Sequence, residues 1–287
     1  MKYKDLPFEY ECGIELFTVC NYNCDYCSGP RVRKESLRGR SHEDAEQVVR
    51  FFNTSGRRWL LGMSGGEPTI HPHFSALIEG LREQHFFYFF TNLSFELNKF
   101  VNLVPPERVQ YIKASLHPKG NTKDFLAKFS RLHTLGYNPV AVMVSVPDQF
   151  ARIETVAEIC QKEGFDFTLS VMEGPYQGRN YPSEYTSEQH AFIERYTEEP
   201  GNLIRLFSRT AGGMNTYGLV CSAGRTSFYL DMENGELMTC ESVHETHGNV
   251  YTGVFSPRTE SIRCPAISGC VGYDRCLLLP EIGRAHV

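Results

Sequence analysis

The sequence predicts an α/β protein: a partial (β/α)6 TIM-like barrel followed by a small cysteine-rich module containing a β-hairpin. Three observations carry that expectation. Six short apolar runs alternate with five stretches of helical spacing within residues 1–172. An Asn234-Gly235 pair, a strong hairpin-turn signal, sits between two further runs. Ten cysteines are present, most of them in two groups.

Strands are expected over residues 14–19, 58–63, 86–90, 109–116, 140–146 and 165–171, and helices over 42–52, 74–84, 95–103, 122–135 and 153–163. Right-handed crossovers would lay the strands parallel. Six repeats are too few for a closed eight-stranded barrel, so an open one is expected, with its chemistry on loops leaving the strands' C-terminal ends. Residues 173–220 are rich in Gly and Pro and read as a structured linker with two helices. Residues 221–280 form the hairpin module, with strands over 226–230 and 236–240. Residues 281–287, Glu-Ile-Gly-Arg-Ala-His-Val, are encoded by a string that, apart from its first base, matches a common short-read sequencing adapter. They are expected to be an assembly artefact that replaces a native C-terminus, and are excluded from the fold.

A chain of 287 residues buries roughly three quarters of its unfolded surface, so disulfides are not needed for a stable core. Its 29 basic against 34 acidic side chains offer no footprint for nucleic acid or an anionic membrane. Asp5, Glu9 and Glu11 stand where a signal peptide needs an apolar core, and the longest uncharged stretches, such as residues 132–147, are too short to span a bilayer. The chain is expected in the cytoplasm, where clustered cysteines are metal ligands more often than disulfides.

Directly after the first predicted strand comes Cys20-Asn-Tyr-Asn-Cys24-Asp-Tyr-Cys27. Three thiolates within eight residues on one loop can converge on one metal centre. Four-iron clusters usually take four cysteines, so this loop would leave one iron open to a non-protein ligand; a zinc site is the competing reading. After the second strand comes Ser64-Gly65-Gly66-Glu67-Pro68, where glycines allow close backbone approach and a carboxylate can accept hydrogen bonds from an ammonium group.

The triple cysteine and the Gly-Gly-Glu motif, in that strand order, resemble the signatures of the radical S-adenosylmethionine (SAM) superfamily. The resemblance implies a [4Fe–4S] cluster on Cys20, Cys24 and Cys27, and SAM held by Ser64, Gly65, Gly66 and Glu67, with the Glu67 carboxylate receiving the methionyl ammonium. Thr91, Asn92 and Ser115 resemble the family's further SAM contacts, and Tyr26 its aromatic near the adenine. Strand alternation puts Tyr111, Lys113 and Ser115 on one face. An interior Lys113 would need a carboxylate or phosphate partner, which makes it a candidate catalytic residue. Glu173 and Arg179, with Tyr176 and Tyr181 on the loop after the sixth strand, are candidates for the substrate.

Cys221, Cys240, Cys264, Cys270 and Cys276 resemble the twitch/SPASM appendage, with Ser261 where the full pattern has a further cysteine. This implies one auxiliary cluster on Cys221, Cys240, Cys270 and Cys276, with Cys264 as an alternative ligand; structural zinc competes here too. Cys160 reads as core, Cys12 carries no assigned role, and His71 and His73 read as helix-entry residues. The implied activity is reductive cleavage of SAM and hydrogen abstraction, giving net oxidation or epimerisation of a small polar metabolite. Peptide modification is the alternative, although only 13 residues before the first predicted strand leave no room for a leader-binding domain; an iron–sulfur electron carrier is a distant third. An electron donor such as flavodoxin or ferredoxin is the implied partner.

Overall fold

Six parallel strands alternate with five helices in the expected order in the computed structural model, which describes residues 4–27, 42–197, 216–267 and 270. Cys276 and residues 281–287 lie outside them. The series is β1 (Tyr10–Glu15), α1 (His42–Thr54), β2 (Trp59–Ser64), α2 (Phe74–Gly80), β3 (Phe86–Thr91), α3 (Leu97–Leu103), β4 (Val109–Ser115), α4 (Thr122–Thr134), β5 (Pro139–Val144), α5 (Phe150–Glu163) and β6 (Asp166–Ser170). The chain continues through β7 (Gly174–Tyr176), β8 (Arg179–Tyr181) and α6 (Ser187–Arg195). It ends in β9 (Val220–Cys221), β10 (Ser227–Asp231), β11 (Glu236–Cys240), β12 (Val243–Asn249), β13 (Val254–Phe255) and β14 (Ile262–Arg263).

The order in the main sheet is β13-β12-β11-β10-β1-β2-β3-β4-β5-β6. β10 lies parallel to β1, with Gly13 opposite Tyr229 and Glu15 opposite Asp231, so the predicted hairpin continues the barrel sheet. It covers a strand edge that would otherwise present unpaired backbone groups.

Each parallel strand is covered by helices on one face and faces the barrel interior on the other. Cys12, Ile14, Leu61, Met63, Phe87, Phe89, Ile112 and Ala114 pack against α1 to α5 in one core, with Phe52, Leu77, Phe129, Val156 and Cys160 from the helices. Leu60, Tyr88 and Tyr111 form a separate interior cluster. Tyr88 stacks on Tyr111 at 5.1 Å, and its ring fills the place of a side chain on β2: a Cβ on Gly62 would lie 1.9 Å from it. Only glycine fits there.

Several boundaries move for physical reasons. The first strand begins at Tyr10 and ends at Glu15 instead of running over 14–19; Glu11 and Glu15 on its interior face make it too polar to read as an apolar run. α2 stops at Gly80, whose carbonyl accepts from Asn53 Nδ2 at 2.8 Å. α5 starts at Phe150, one turn early, and β5 ends at Val144. Of the two helices expected in the linker, α6 is present, entered through a Thr186/Gln189 capping box; residues 198–215 lie outside the described residues. Residues 174–181 are a tight hairpin, because Gln177 (φ 48) and Gly178 (φ 78) both take the positive angles of a two-residue turn.

His85, fully buried between α2 and β3, accepts from the Trp59 N–H through Nδ1 at 3.3 Å. Burial first, then the charges of Arg108 and Arg82, push its pKa down to about 4. The unfolded chain, with an ordinary imidazole near 6.5, therefore binds the proton more tightly. The stability this gives is complete above pH 6.5 and is lost as pH falls towards 4, at a cost of about 3 kcal/mol. Urea unfolding at pH 7 and pH 4 should show this loss, and His85→Gln should remove much of the pH dependence.

Candidate functional site

The first cysteine loop leaves the C-terminal end of β1 and is held by the backbone of the segment after β2. Gly66 N donates to Phe17 O at 2.8 Å and Glu67 N to Val19 O at 3.0 Å. A Cβ on Gly65 would lie 2.2 Å from Phe17 O, and one on Gly66 2.2 Å from Val19 O. The paired glycines are thus required by contact with the cysteine loop itself. Cys20 and Cys27 are exposed and Cys24 is half-buried. Burial raises the Cys20 and Cys24 thiols, and the charge of Cys27 adds to both shifts.

Among the described residues no three His, Cys, Asp or Glu side chains are gathered closely enough to hold a metal ion. The donor set nonetheless fits a four-iron cluster: three thiols on one eight-residue loop at the barrel mouth, two of them open to solvent. Thiols that repel once ionised are drawn together by the metal they bind.

Glu67 is fully buried. Its Oε1 accepts from Thr69 N (3.2 Å), Thr69 Oγ1 (2.5 Å) and Thr91 Oγ1 (2.8 Å), and its Oε2 from Asn92 N (2.7 Å). Burial pushes its pKa up against the pull of these four bonds. The carboxylate expected to meet a ligand ammonium thus takes four donors from its own chain, of which Oε2 takes one.

Asn92 and Ser115 line one cleft with Tyr22, Leu93, His117, Gly120, Asn121 and Asp124. Tyr26 is buried, and its hydroxyl pairs with His117 Nδ1 at 2.7 Å. His117 is pushed down to about 4 by burial first and Arg152 second, so its ring is neutral at pH 7. Arg152 donates to the carbonyls of His117 (3.1 Å) and Gly120 (2.8 Å) and braces this wall.

Lys113 is half-buried on the interior face of β4, with Nζ 5.6 Å from the Phe90 ring centre. Glu173 is half-buried and Arg179 exposed, the latter on the β7–β8 hairpin. Tyr176 Oη ties that hairpin to Asp148 at 3.0 Å. Tyr181, expected to face a ligand, is buried against Tyr185 at 4.7 Å between ring centres. His71 and His73 stand at the entry to α2, as expected.

Sequence reasoning misses Glu15, Tyr229 and Glu241. Tyr229 Oη donates to Glu15 Oε2 at 2.8 Å inside the barrel, and the carboxyl of Glu241, an exposed residue, is pushed up by partial burial and then by the Glu15 charge. The alternation of Glu11, Gly13 and Glu15 is the available signal.

Cys221 and Cys264 pack together beneath Ala223. β9 pairs with β14, Ile262 opposite Cys221, and Cys264 is pinned by its N–H to Leu219 O and its carbonyl to Gly218 N, both at 2.8 Å. The Cys221 thiol, raised chiefly by burial, also feels the charges of Cys264, Cys240 and Cys270. Cys264, expected only as an alternative ligand, belongs to this group by position. Ser261 Oγ accepts from Arg225 at 3.2 Å.

A sequence profile of the Radical SAM superfamily matches residues 14–173. An S-adenosylmethionine-dependent nucleotide dehydratase from Selenomonas ruminantium is 29% identical over 99 residues, 34% of each protein. Among solved structures, Streptococcus suis SuiB superposes with TM-score 0.55 at 16% identity, over 85% of this chain and 64% of that one. Native anSMEcpe with bound AdoMet superposes with TM-score 0.56 at 14% identity, over 84% and 78%. The chain thus spans about a third of the curated relative and under two thirds of SuiB. At such identities the structural likeness shows the fold.

Gly66→Ala should force the cysteine loop off the β2 turn, because the new methyl meets backbone. A loss of about 1–3 kcal/mol in stability is expected, with failure to retain iron after anaerobic reconstitution. Retention equal to wild type would show that the loop does not depend on this contact.

Proposed function

We propose a reaction from a premise the profile match supplies: the chain belongs to the radical SAM superfamily. The family's cofactors, a [4Fe–4S] cluster and SAM, supply one-electron cleavage of SAM and a radical that takes hydrogen from a substrate. Cys20, Cys24 and Cys27 hold the cluster. Ser64, Gly65, Gly66, Thr91, Asn92 and Ser115 form the wall for SAM, with Glu67 supporting it and Tyr26 beside the adenine. The observation that carries this reading is the clamping of the three-cysteine loop by residues 64–67 at the strands' C-terminal end.

The product we favour is a net oxidation or epimerisation of a small polar metabolite. Its support is a barrel interior carrying Lys113, Glu15 and the Tyr229 hydroxyl, with Glu173 and Arg179 on the segment after β6. Further support comes from the second thiol group, Cys221, Cys240, Cys264 and Cys270, which suits an auxiliary cluster able to take the second electron; Cys276, outside the described residues, is a further candidate ligand. Modification of a peptide is the second reading, favoured by the shared fold of SuiB, one crystal structure of which holds the precursor peptide SuiA. Ferredoxin or flavodoxin would deliver the electron. Action in the cytoplasm is part of this reading; among the described residues no helix is long and apolar enough to cross a membrane.

Anaerobically reconstituted chain, reduced with dithionite and given SAM, should yield 5′-deoxyadenosine, and the triple Cys20/Cys24/Cys27→Ala variant should not. Production by that variant equal to wild type would reject the assignment. Iron analysis should give about eight atoms per chain, falling to about four when Cys221 and Cys240 are replaced, as two four-iron clusters require. Four irons with one zinc would instead make the second group structural.

A further inference from the structure

Asn92 is 6% exposed and is held at its backbone N–H and at both ends of its side-chain amide. Its backbone N–H donates to Glu67 Oε2 at 2.7 Å. Its Oδ1 accepts from Ser94 N at 2.9 Å, closing an Asx turn. That bond fixes which end of the amide is oxygen, and the Nδ2 end therefore faces the cysteine loop. There it donates to Asn21 Oδ1 at 2.9 Å and lies 3.8 Å from Cys20 Sγ, within donor reach of sulfur. The turn is braced from outside: Leu93 takes a left-handed φ of 56, a costly angle for a branched side chain. Lys128 Nζ donates to the carbonyls of Leu93 and Phe95, each at 3.0 Å.

We propose that Asn92 is a positioning residue for the cluster, its amide orienting the Cys20 loop and donating to the Cys20 sulfur, and that Glu67 acts by holding Asn92. This rests on the function proposed above. It changes what the Gly-Gly-Glu motif does in this chain: the glycines admit the cysteine loop and the glutamate anchors the residue that tunes it. A donor to a ligating sulfur stabilises the more negative, reduced state of a cluster, so hydrogen bonds to sulfur help set its potential. Asn92 would raise the potential of the SAM-binding cluster, and its loss would lower it.

The test is an EPR-monitored redox titration of reconstituted wild type, Asn92→Ser and Glu67→Gln, with SAM affinity measured alongside. Serine can still accept from Ser94 N and keep the turn, but its hydroxyl is too short to reach Cys20. At a fixed potential the ratio of reduced to oxidised cluster should fall about tenfold in Asn92→Ser, which is 59 mV for a one-electron couple. Glu67→Gln should move the potential the same way. Removing a buried negative charge would by itself raise it, so the sign separates positioning from simple electrostatics. An unchanged or raised potential in either variant overturns the proposal, as does weaker SAM binding without a potential shift. If wild type neither assembles a SAM-responsive cluster nor cleaves SAM, the function proposal falls and takes this one with it. A cleaving wild type with unshifted variants sinks only the role of Asn92.

Discussion

Two backbones meet where no side chain fits, and the site is built on that contact. Residues 64–67 lie against Phe17 and Val19 so closely that a methyl on either glycine would overlap a carbonyl oxygen. The contact joins the end of β2 to the start of the cysteine loop through two backbone hydrogen bonds. The next strand end is set from there: the Glu67 side chain turns inward, collects four donors and pins the turn after β3. Three successive strand ends are thereby tied at one level of the barrel. A buried carboxylate without those donors would be far more costly than one exposed to water, so the network is held as a whole or not at all.

The same economy of space governs the interior. Gly62 leaves room on β2 for the Tyr88 ring, whose hydroxyl reaches as far as β1 and would make ordinary contact, at 3.8 Å, with a Cβ on Gly13. The interior is floored by aromatic rings, and the polar groups, Glu15 with Tyr229 and Lys113 beside Phe90, stand on that floor. A polar molecule entering would meet charge at the walls and flat apolar surface beneath.

Much of this is legible in the residue order. Apolar runs and helical spacing bring out the strands and helices of the barrel in order, the first strand displaced by four residues, and the cysteine spacing with Gly-Gly-Glu marks the candidate site. The features that escape are set by distant partners. Phe86 to Thr91 reads as apolar throughout, so nothing local says that Tyr88 faces inward while Phe87 and Phe89 face the helices. Asn21 and His117 are single polar residues on loops, given roles only by Asn92 and Tyr26. The motif spacing alone makes Glu67 a ligand group; four donors from its own neighbourhood cannot be counted from sequence. Spacing likewise leaves Cys264 to one side, and the β9–β14 pairing brings it back.

The pairing of β10 with β1 joins residues 216 positions apart, and the Tyr229 to Glu15 bond spans 214. During synthesis β1 emerges early and waits, its outer edge uncovered, while more than two hundred residues are made. Contacts of such separation are slow to form, and an uncovered edge invites pairing with other chains. Among the six parallel strands, the one that leads into the three-cysteine loop is therefore the last to gain both of its neighbours. In the living cell, the assembly of the metal centre and the closing of the sheet become a single problem of timing.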